Sequence, residues 1–163
     1  MEHLKHPTHY DKFLIGWEEW CALKKLGLPA IRAKIDTGAK TSALHAFDIE
    51  TYHRKDETWV RFKVHPLARN NLLTRVCHAK LIDYRRVTNS GGHHEWRHVI
   101  STPMSLGHES WDIQITLTDR SPLAFRMLLG REALRGHVLI DPQRSHVTGK
   151  WRKVELRALY HGG

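Results

Sequence analysis

Residues 30–39 have the sequence Ala30-Ile31-Arg32-Ala33-Lys34-Ile35-Asp36-Thr37-Gly38-Ala39, in which a strand pattern leads directly into an acidic turn. Apolar and basic residues alternate as far as Ile35, and this period of two is typical of a strand with one buried face. Asp-Thr-Gly alone is a weak signal, because Asp and Gly are common turn residues. Much later in the chain an apolar strand ends in the same way on a glycine, at Met127-Leu128-Leu129-Gly130-Arg131. The two segments together are far more specific than either one alone.

The rest of the chain also favours short strands. Alternating patterns recur at 58–64, 76–82 and 111–117, and further apolar strands are predicted at 13–17, 20–23, 124–129, 138–141 and 151–156. Gly91-Gly92 lies between two β-prone arms and predicts the tip of a hairpin. Residues 131–134 are the best candidate for a short helix, which Gly136 can end. Many short strands separated by turns predict an all-β barrel or sandwich.

The chain of 163 residues fits a single domain. We assign residues 1–12 to a flexible tail, 13–157 to the domain and 158–163 to a second tail. Cys21 and Cys77 are far apart in the sequence, which predicts two buried, reduced thiols. No apolar run approaches the ~20 residues of a membrane helix. Because the N-terminus lacks the apolar core of a signal peptide, we expect a cytoplasmic protein without membrane contact.

The combination of Asp36-Thr37-Gly38 with Leu128-Leu129-Gly130 resembles the retropepsin family of aspartic peptidases, in which these two segments cross at the base of the cleft. Three strings, at 15–20, 33–46 and 127–131, further resemble a bacterial family long labelled ATP-dependent zinc protease. The resemblance covers 13–156 and implies an all-β fold, a closed acid-protease (retropepsin-like) barrel with one short C-terminal helix. Some members are encoded beside a ligase that adds glutamates to a ribosomal protein, which implies that the chain trims such glutamate tails.

The resemblance implies that Asp36, Thr37 and Gly38 form the catalytic loop. An aspartic peptidase needs two carboxylates about 3 Å apart that share one proton, so that one activates water while the other polarises the scissile carbonyl. The chain contains a single Asp-Thr-Gly, which predicts a homodimer in which each copy supplies one Asp36. The Thr37 hydroxyl would brace the loop, and Gly38 would allow close backbone approach. The alternative is that Asp36 is only a structural turn residue.

The charge of the chain suggests the kind of substrate. A net charge of +9 favours an acidic partner. Viral retropepsins carry an acidic residue where this chain has Lys40, and an ammonium group there would attract an acidic peptide. Arg131 thereby loses its usual carboxylate partner and is available for substrate or for another residue. We assign substrate binding to residues of the Asp-Thr-Gly loop, to a flap hairpin at 87–93 and to the arginine: Ala39, Lys40, Thr41, Ser90, Gly91 and Arg131. The alternatives are a solvated Lys40 and an ordinary exposed hairpin.

Three other functions compete with this interpretation: a non-catalytic acidic-peptide-binding module, a zinc metallopeptidase and a nucleic-acid-binding β-barrel. His94, Glu95 and His98 fit the H-E-x-x-H zinc pattern, but that pattern requires a helix. The flanking Gly91-Gly92 favours a strand, on which the two histidines would lie ~13 Å apart. Basic residues are dispersed along the chain, so nucleic acid is not favoured. We expect no cofactor and no metal.

Overall fold

A computed structural model of the chain describes residues 11–68, 70–89, 91–119 and 124–161. These residues form eleven strands, two α-helices and a short 3-10 helix at Lys24–Leu26. In chain order the strands and helices are β1 (Phe13–Ile15), β2 (Glu18–Leu23), β3 (Leu28–Asp36), β4 (Ser42–His45), β5 (Phe47–Arg54), β6 (Glu57–Val64), β7 (Arg75–Thr88), β8 (His94–Leu106), β9 (Glu109–Thr118), β10 (Met127–Gly130), α1 (Arg131–Leu134), β11 (Val138–Ile140) and α2 (Lys153–His161).

Nine of the strands form one sheet in the order β2-β3-β10-β4-β9-β8-β7-β6-β5. Ala22 of β2 also pairs with Ser105 of β8. The sheet is therefore curled, so that its edge strand β2 contacts the interior strand β8. The two remaining strands, β1 and β11, form a separate parallel pair. The predicted all-β fold class is therefore confirmed. The predicted closed barrel is not, because a single residue pair, rather than a continuous ladder, joins β2 to β8.

The core lies on the inner face of this curled sheet. In β3, Ile31, Ala33 and Ile35 point into the core, where they join Met127 and Leu129 of the neighbouring β10. The other face of β3 carries the basic residues of the alternating pattern, which are half-buried or exposed. The sequence alternation at 30–35 thus predicts the two faces of the strand correctly.

The C-terminal segment differs from the prediction. The closing strand expected at 151–156 is wrong, because the helix α2 occupies Lys153–His161 and so includes most of the residues assigned to a tail. Leu156 and Tyr160, four residues apart, share a helix face and pack with Ala30 and its neighbours on the outer side of the sheet. The Tyr160 hydroxyl donates to the Ala30 carbonyl and accepts from its amide. Helical spacing of the apolar residues, rather than strand alternation, was the correct pattern for this segment.

The other local predictions are close to the structure. The helix α1 occupies 131–134 as expected, and Gly136 follows with a left-handed φ of 85°. The two long strands β7 and β8 form the predicted hairpin around Gly91 and Gly92. The strand predicted at 124–129 begins only at Met127. Ten residues of the predicted N-terminal tail and the flap residue Ser90 lie outside the described residues.

Candidate active site

Asp36 is the last residue of β3 and lies directly beside Gly130, the last residue of β10. The two strands run parallel, so the Asp-Thr-Gly and Leu-Leu-Gly segments end at the same edge of the sheet. A Cβ atom on residue 130 would lie 2.6 Å from the Thr41 carbonyl carbon and 3.0 Å from the Ala39 carbonyl oxygen. Gly130 is therefore required because the backbone of the 37–41 loop passes directly over it. The expected contact between the two sequence motifs is present within one chain.

Backbone hydrogen bonds fix the loop that follows Asp36. The Gly38 amide donates to the Asp36 Oδ1 atom at 3.1 Å, and the Ala39 amide donates to the Asp36 carbonyl at 3.2 Å. The amides of Arg131 and Glu132, at the start of α1, donate to the carbonyls of Ala39 and Lys40 at 2.9 and 3.2 Å. The carboxylate, half-buried, is thus held by its own turn, while the turn is held by the segment after Gly130.

The side chains assigned to substrate binding have partners inside the chain. The Arg131 guanidinium donates from Nη1 to the carbonyls of Thr37 and Gly38, at 3.4 and 3.3 Å. The Lys40 ammonium lies 3.9 Å from a carboxylate oxygen of Glu132, and both groups are exposed. Arg131 therefore braces the loop from outside, and a substrate-binding role for Arg131 and Lys40 stays a prediction. The bracing hydroxyl expected on Thr37 makes no hydrogen bond in the part of the chain that the structure describes.

A buried polar network supports the loop from below. The Ser42 hydroxyl accepts from the Gly130 amide at 3.1 Å, and the Ser42 carbonyl accepts from the Thr116 hydroxyl at 3.0 Å. Arg97 donates to that Thr116 hydroxyl at 3.3 Å and pairs with the Glu95 carboxylate. Sequence reasoning missed this network. Thr116 alternates with the core residues Ile115 and Leu117, so the strand pattern gives it an outward position and does not predict its burial.

The predicted flap lies far along the β7–β8 hairpin. Asn89 holds the tip, since its side-chain oxygen accepts from the amides of Gly91 and His93 at 2.9 and 3.1 Å. Across the sheet, Ile100 of β8 pairs with Ile115 of β9, which in turn pairs with Ser42 of β4, the first residue after the 37–41 loop. Ile100 is therefore the residue of the hairpin that lies level with this loop. From there to the tip is roughly 25 Å of strand. The hairpin is confirmed, whereas its function as a flap stays a prediction.

The H-E-x-x-H pattern lies on a strand. His94, Glu95 and His98 are all residues of β8, so the two histidines do not have the helical spacing that a zinc site of this type needs. The Glu95 carboxylate is already paired with Arg97. His98 packs edge-on against Tyr84 at 4.8 Å, and burial lowers its pKa below the ordinary value. Nowhere in the described ranges do three or more His, Cys, Asp or Glu side chains cluster closely enough to hold a metal ion.

The curled β-sheet, with an Asp-Thr-Gly loop beside a Leu-Leu-Gly strand, defines a retropepsin-like protein. Residues 14–151 match the family described as RimB-like, retropepsin-like aspartic endopeptidase RimB, and the chain belongs to this family. A crystal structure of Lpg0085 from Legionella pneumophila, a protein of unknown function, is similar over 83% of this chain and 98% of that one, with a TM-score of 0.67 and 26% sequence identity.

The curated relatives carry a different name. A protein of Shewanella halifaxensis named "Probable alpha-L-glutamate ligase" is 43% identical over 150 residues, which are 92% of this chain and 33% of that protein. A protein of Parasynechococcus marenigrum with the same name is 46% identical over 149 residues, 91% of this chain and 32% of that protein. The chain spans about a third of the length of these curated relatives. Of the helices described here, none has the length and apolar character needed to cross a bilayer.

Proposed function

We propose that the chain is an aspartic-type peptidase that works as a homodimer, with Asp36 of each copy supplying one carboxylate of a catalytic dyad. The observation that carries this proposal is the position of Asp36 at the end of β3, beside Gly130 and inside a loop fixed by four backbone-amide and two guanidinium hydrogen bonds. One chain offers one such carboxylate, so a two-fold pair is the simplest way to obtain two.

In the proposed reaction, the two Asp36 carboxyl groups share one proton, because two like charges at that separation cannot both ionise. The ionised group removes a proton from a water molecule, whose oxygen attacks the carbonyl carbon of the scissile peptide bond. The protonated group donates a hydrogen bond to the carbonyl oxygen. The C–N bond then breaks, the amine leaves with a proton from the dyad, and the carboxylic acid product loses its remaining proton to solvent. No covalent intermediate forms.

The substrates that we propose are acidic peptides, in particular glutamate tails added to a protein such as a ribosomal protein. A net charge of +9 attracts such a substrate over distance. The relatives named as glutamate ligases contain a segment similar to this chain, which fits a hydrolase that acts on the product of glutamate ligation. Such a hydrolase would work where the ligase works, and we therefore place it in the cytoplasm.

A second candidate function is a module that binds acidic peptides without cutting them. The curated relatives favour this second candidate. In them, the segment similar to this chain makes up about a third of a protein whose name refers to ligation and not to hydrolysis. A module of this kind could hold a growing glutamate tail for a ligase. Product formation separates the two candidates, because only a peptidase releases glutamate or shortened peptides.

The test is Asp36→Asn, which keeps the shape of the side chain and removes its charge. We expect peptide cleavage of a glutamate-rich substrate to be lost while the dimer mass, measured by analytical ultracentrifugation, is unchanged. Asp112→Asn, at an exposed position of β9, is the matched control and should cleave normally.

Mixing the two proteins tests the shared dyad directly. When equal amounts of wild type and Asp36→Asn exchange subunits, only about a quarter of the dimers carry two aspartates. Activity should therefore fall to about a quarter of that of the same total amount of wild-type chain, rather than to half. Cleavage that survives in pure Asp36→Asn would eliminate the aspartic mechanism, and binding of the peptide without any product from wild type would favour the module.

A further inference from the structure

The outer face of β3 carries a row of charged side chains that ends at Asp36. Because successive residues of a strand point to opposite faces, Arg32, Lys34 and Asp36 share one face, at intervals of roughly 6.6 Å. The intervening Ala33 and Ile35 are buried in the core. Two cationic side chains are thus aligned with the carboxylate on the same side of the sheet.

The two cations of this row are not equivalent. The Arg32 guanidinium lies 4.7 Å from the centre of the Phe125 ring, 3.7 Å from a Glu18 carboxylate oxygen, and within 3.4 Å of the Ala124 carbonyl. Arg32 is therefore held in place by its neighbours. Beyond it, Ala30 is covered by α2, so the row is open only toward Asp36.

Lys34 is exposed, and its charge is not neutralised by the nearest acid. Glu18 lies opposite Lys34 on β2, but its two carboxylate oxygens face Arg32 at 3.7 Å and His146 Nε2 at 3.1 Å. Within the residues that the structure describes, Lys34 itself has no ion-pair partner. Lys40, on the other side of Asp36, has the Glu132 carboxylate 3.9 Å away. Of the lysines that flank Asp36, Lys34 has the less compensated charge.

We propose that Lys34 is the specificity-determining residue of the site, and that its ammonium group binds the carboxylate of an acidic side chain in the substrate. This inference rests on the proposed peptidase function. An extended peptide presents alternate side chains to one face at nearly the same interval as a strand does, so a side chain near the scissile bond can reach Lys34. In a two-fold dimer each copy contributes one Lys34, and the preference should therefore fall on two substrate positions at equal distances on either side of the scissile bond.

The experiment is a coupling measurement between Lys34 and each substrate position. In a glutamate-rich substrate peptide, each glutamate is replaced in turn by glutamine. The value of kcat/KM for each peptide is then measured with wild type and with Lys34→Met. In wild type, glutamine at the two symmetric positions should lower kcat/KM about five- to tenfold. In Lys34→Met that difference should disappear, while the effects of glutamine at other positions persist. Lys25→Met, an exposed lysine outside β3, removes the same charge and should leave the wild-type pattern intact.

The outcomes separate the inference from the function on which it rests. If wild type cleaves the peptide through Asp36 but Lys34→Met retains the full glutamate preference at every position, the assignment of Lys34 is overturned and the peptidase proposal stands. If wild type cleaves none of the peptides, both fail. Lys34→Gln repeats the test should the methionine variant not fold, and Lys34→Glu should prefer lysine over glutamate at the same two positions.

Discussion

Gly130→Ala is the substitution that probes most directly how the Asp36 loop is built. The added Cβ would lie 2.6 Å from the carbonyl carbon of Thr41, 2.7 Å from its oxygen and 3.0 Å from the carbonyl oxygen of Ala39. All three atoms belong to the backbone, so no side-chain rotation can remove the overlap. Either β10 or the 37–41 loop must move.

The expected size of the effect follows from these contacts. Overpacking of a tight site costs about 1–3 kcal/mol. Any movement of residue 130 also strains the bond from its amide to the Ser42 hydroxyl, at 3.1 Å, which is worth about 1 kcal/mol. We therefore expect Gly130→Ala to lower the free energy of unfolding by about 2–4 kcal/mol. A displacement of Asp36 by about 1 Å would in addition lower the rate of the proposed peptide cleavage about 100-fold.

Urea denaturation of both proteins measures the stability, and kcat/KM with a glutamate-rich peptide measures the activity. Gly91→Ala is the matched control for stability, because a Cβ there meets only the flexible side chains of Asn89 and His93, at 3.3 and 3.5 Å. The reasoning would be refuted by a Gly130→Ala protein whose unfolding free energy lies within about 0.5 kcal/mol of the wild-type value.

Two further predictions concern buried ionisable groups. The Glu19 carboxylate, fully buried, accepts from the amides of Gly16, Val147 and Thr148 and from the Thr148 hydroxyl, at 2.7–3.0 Å. Glu19→Gln turns an NH2 group toward these donors and should lower the free energy of unfolding by about 2–4 kcal/mol in urea titrations, whereas an unchanged midpoint would contradict the assigned contacts. Burial raises the pKa of the Cys21 and Cys77 thiols from 9.0 to about 12, and burial raises that of Tyr160 from 10.0 to about 12. Because the folded chain holds these protons more tightly than the unfolded chain, the contribution of these three groups to stability should be constant below pH ~9. It should fall as the pH rises toward 12, by up to about 1.4 kcal/mol per pH unit for each group. Cys21→Ala should reduce that slope in urea titrations between about pH 8 and 12, and an identical slope in both proteins would show that Cys21 does not titrate as described.

Short, local patterns predicted the all-β fold class, whereas the contact between Asp36 and Gly130 was implied by the resemblance to retropepsins. Alternation at 30–35 sets the faces of β3, and a glycine after an apolar strand allows the close backbone crossing. The C-terminal helix α2 was missed, because its mixed apolar and charged residues also fit a short strand. The contact that decides between the helical and the strand pattern, the docking of Tyr160 on the backbone of Ala30, is distant in the sequence.

The partners of the site residues were also beyond the reach of the sequence. Arg131 was expected to meet substrate or another residue, and its contacts in the structure are with the carbonyls of Thr37 and Gly38. Every residue has a backbone carbonyl, so the sequence does not indicate which carbonyls will accept a hydrogen bond from a given side chain. The same holds for the amide of Gly130, whose hydrogen bond to Ser42 explains why a hydroxyl occupies a buried position of β4. Side-chain contacts to backbone require the fold to be known first.

Contacts within the described part of its own chain hold Asp36, which bears on how the proposed dimer forms. The turn, the amides at the start of α1, the Arg131 guanidinium and the Ser42 hydroxyl fix the loop before any second copy is present. Pairing of two copies then does not have to order the loop, which removes one of the usual free-energy costs of association. The remaining requirement is geometric, since the two-fold axis must bring the half-buried carboxylates within hydrogen-bonding distance of each other. A half-site that is rigid in the single chain is suited to this, because each copy presents its carboxylate in the same position relative to β3 and β10, and symmetry alone then sets the distance between the two groups.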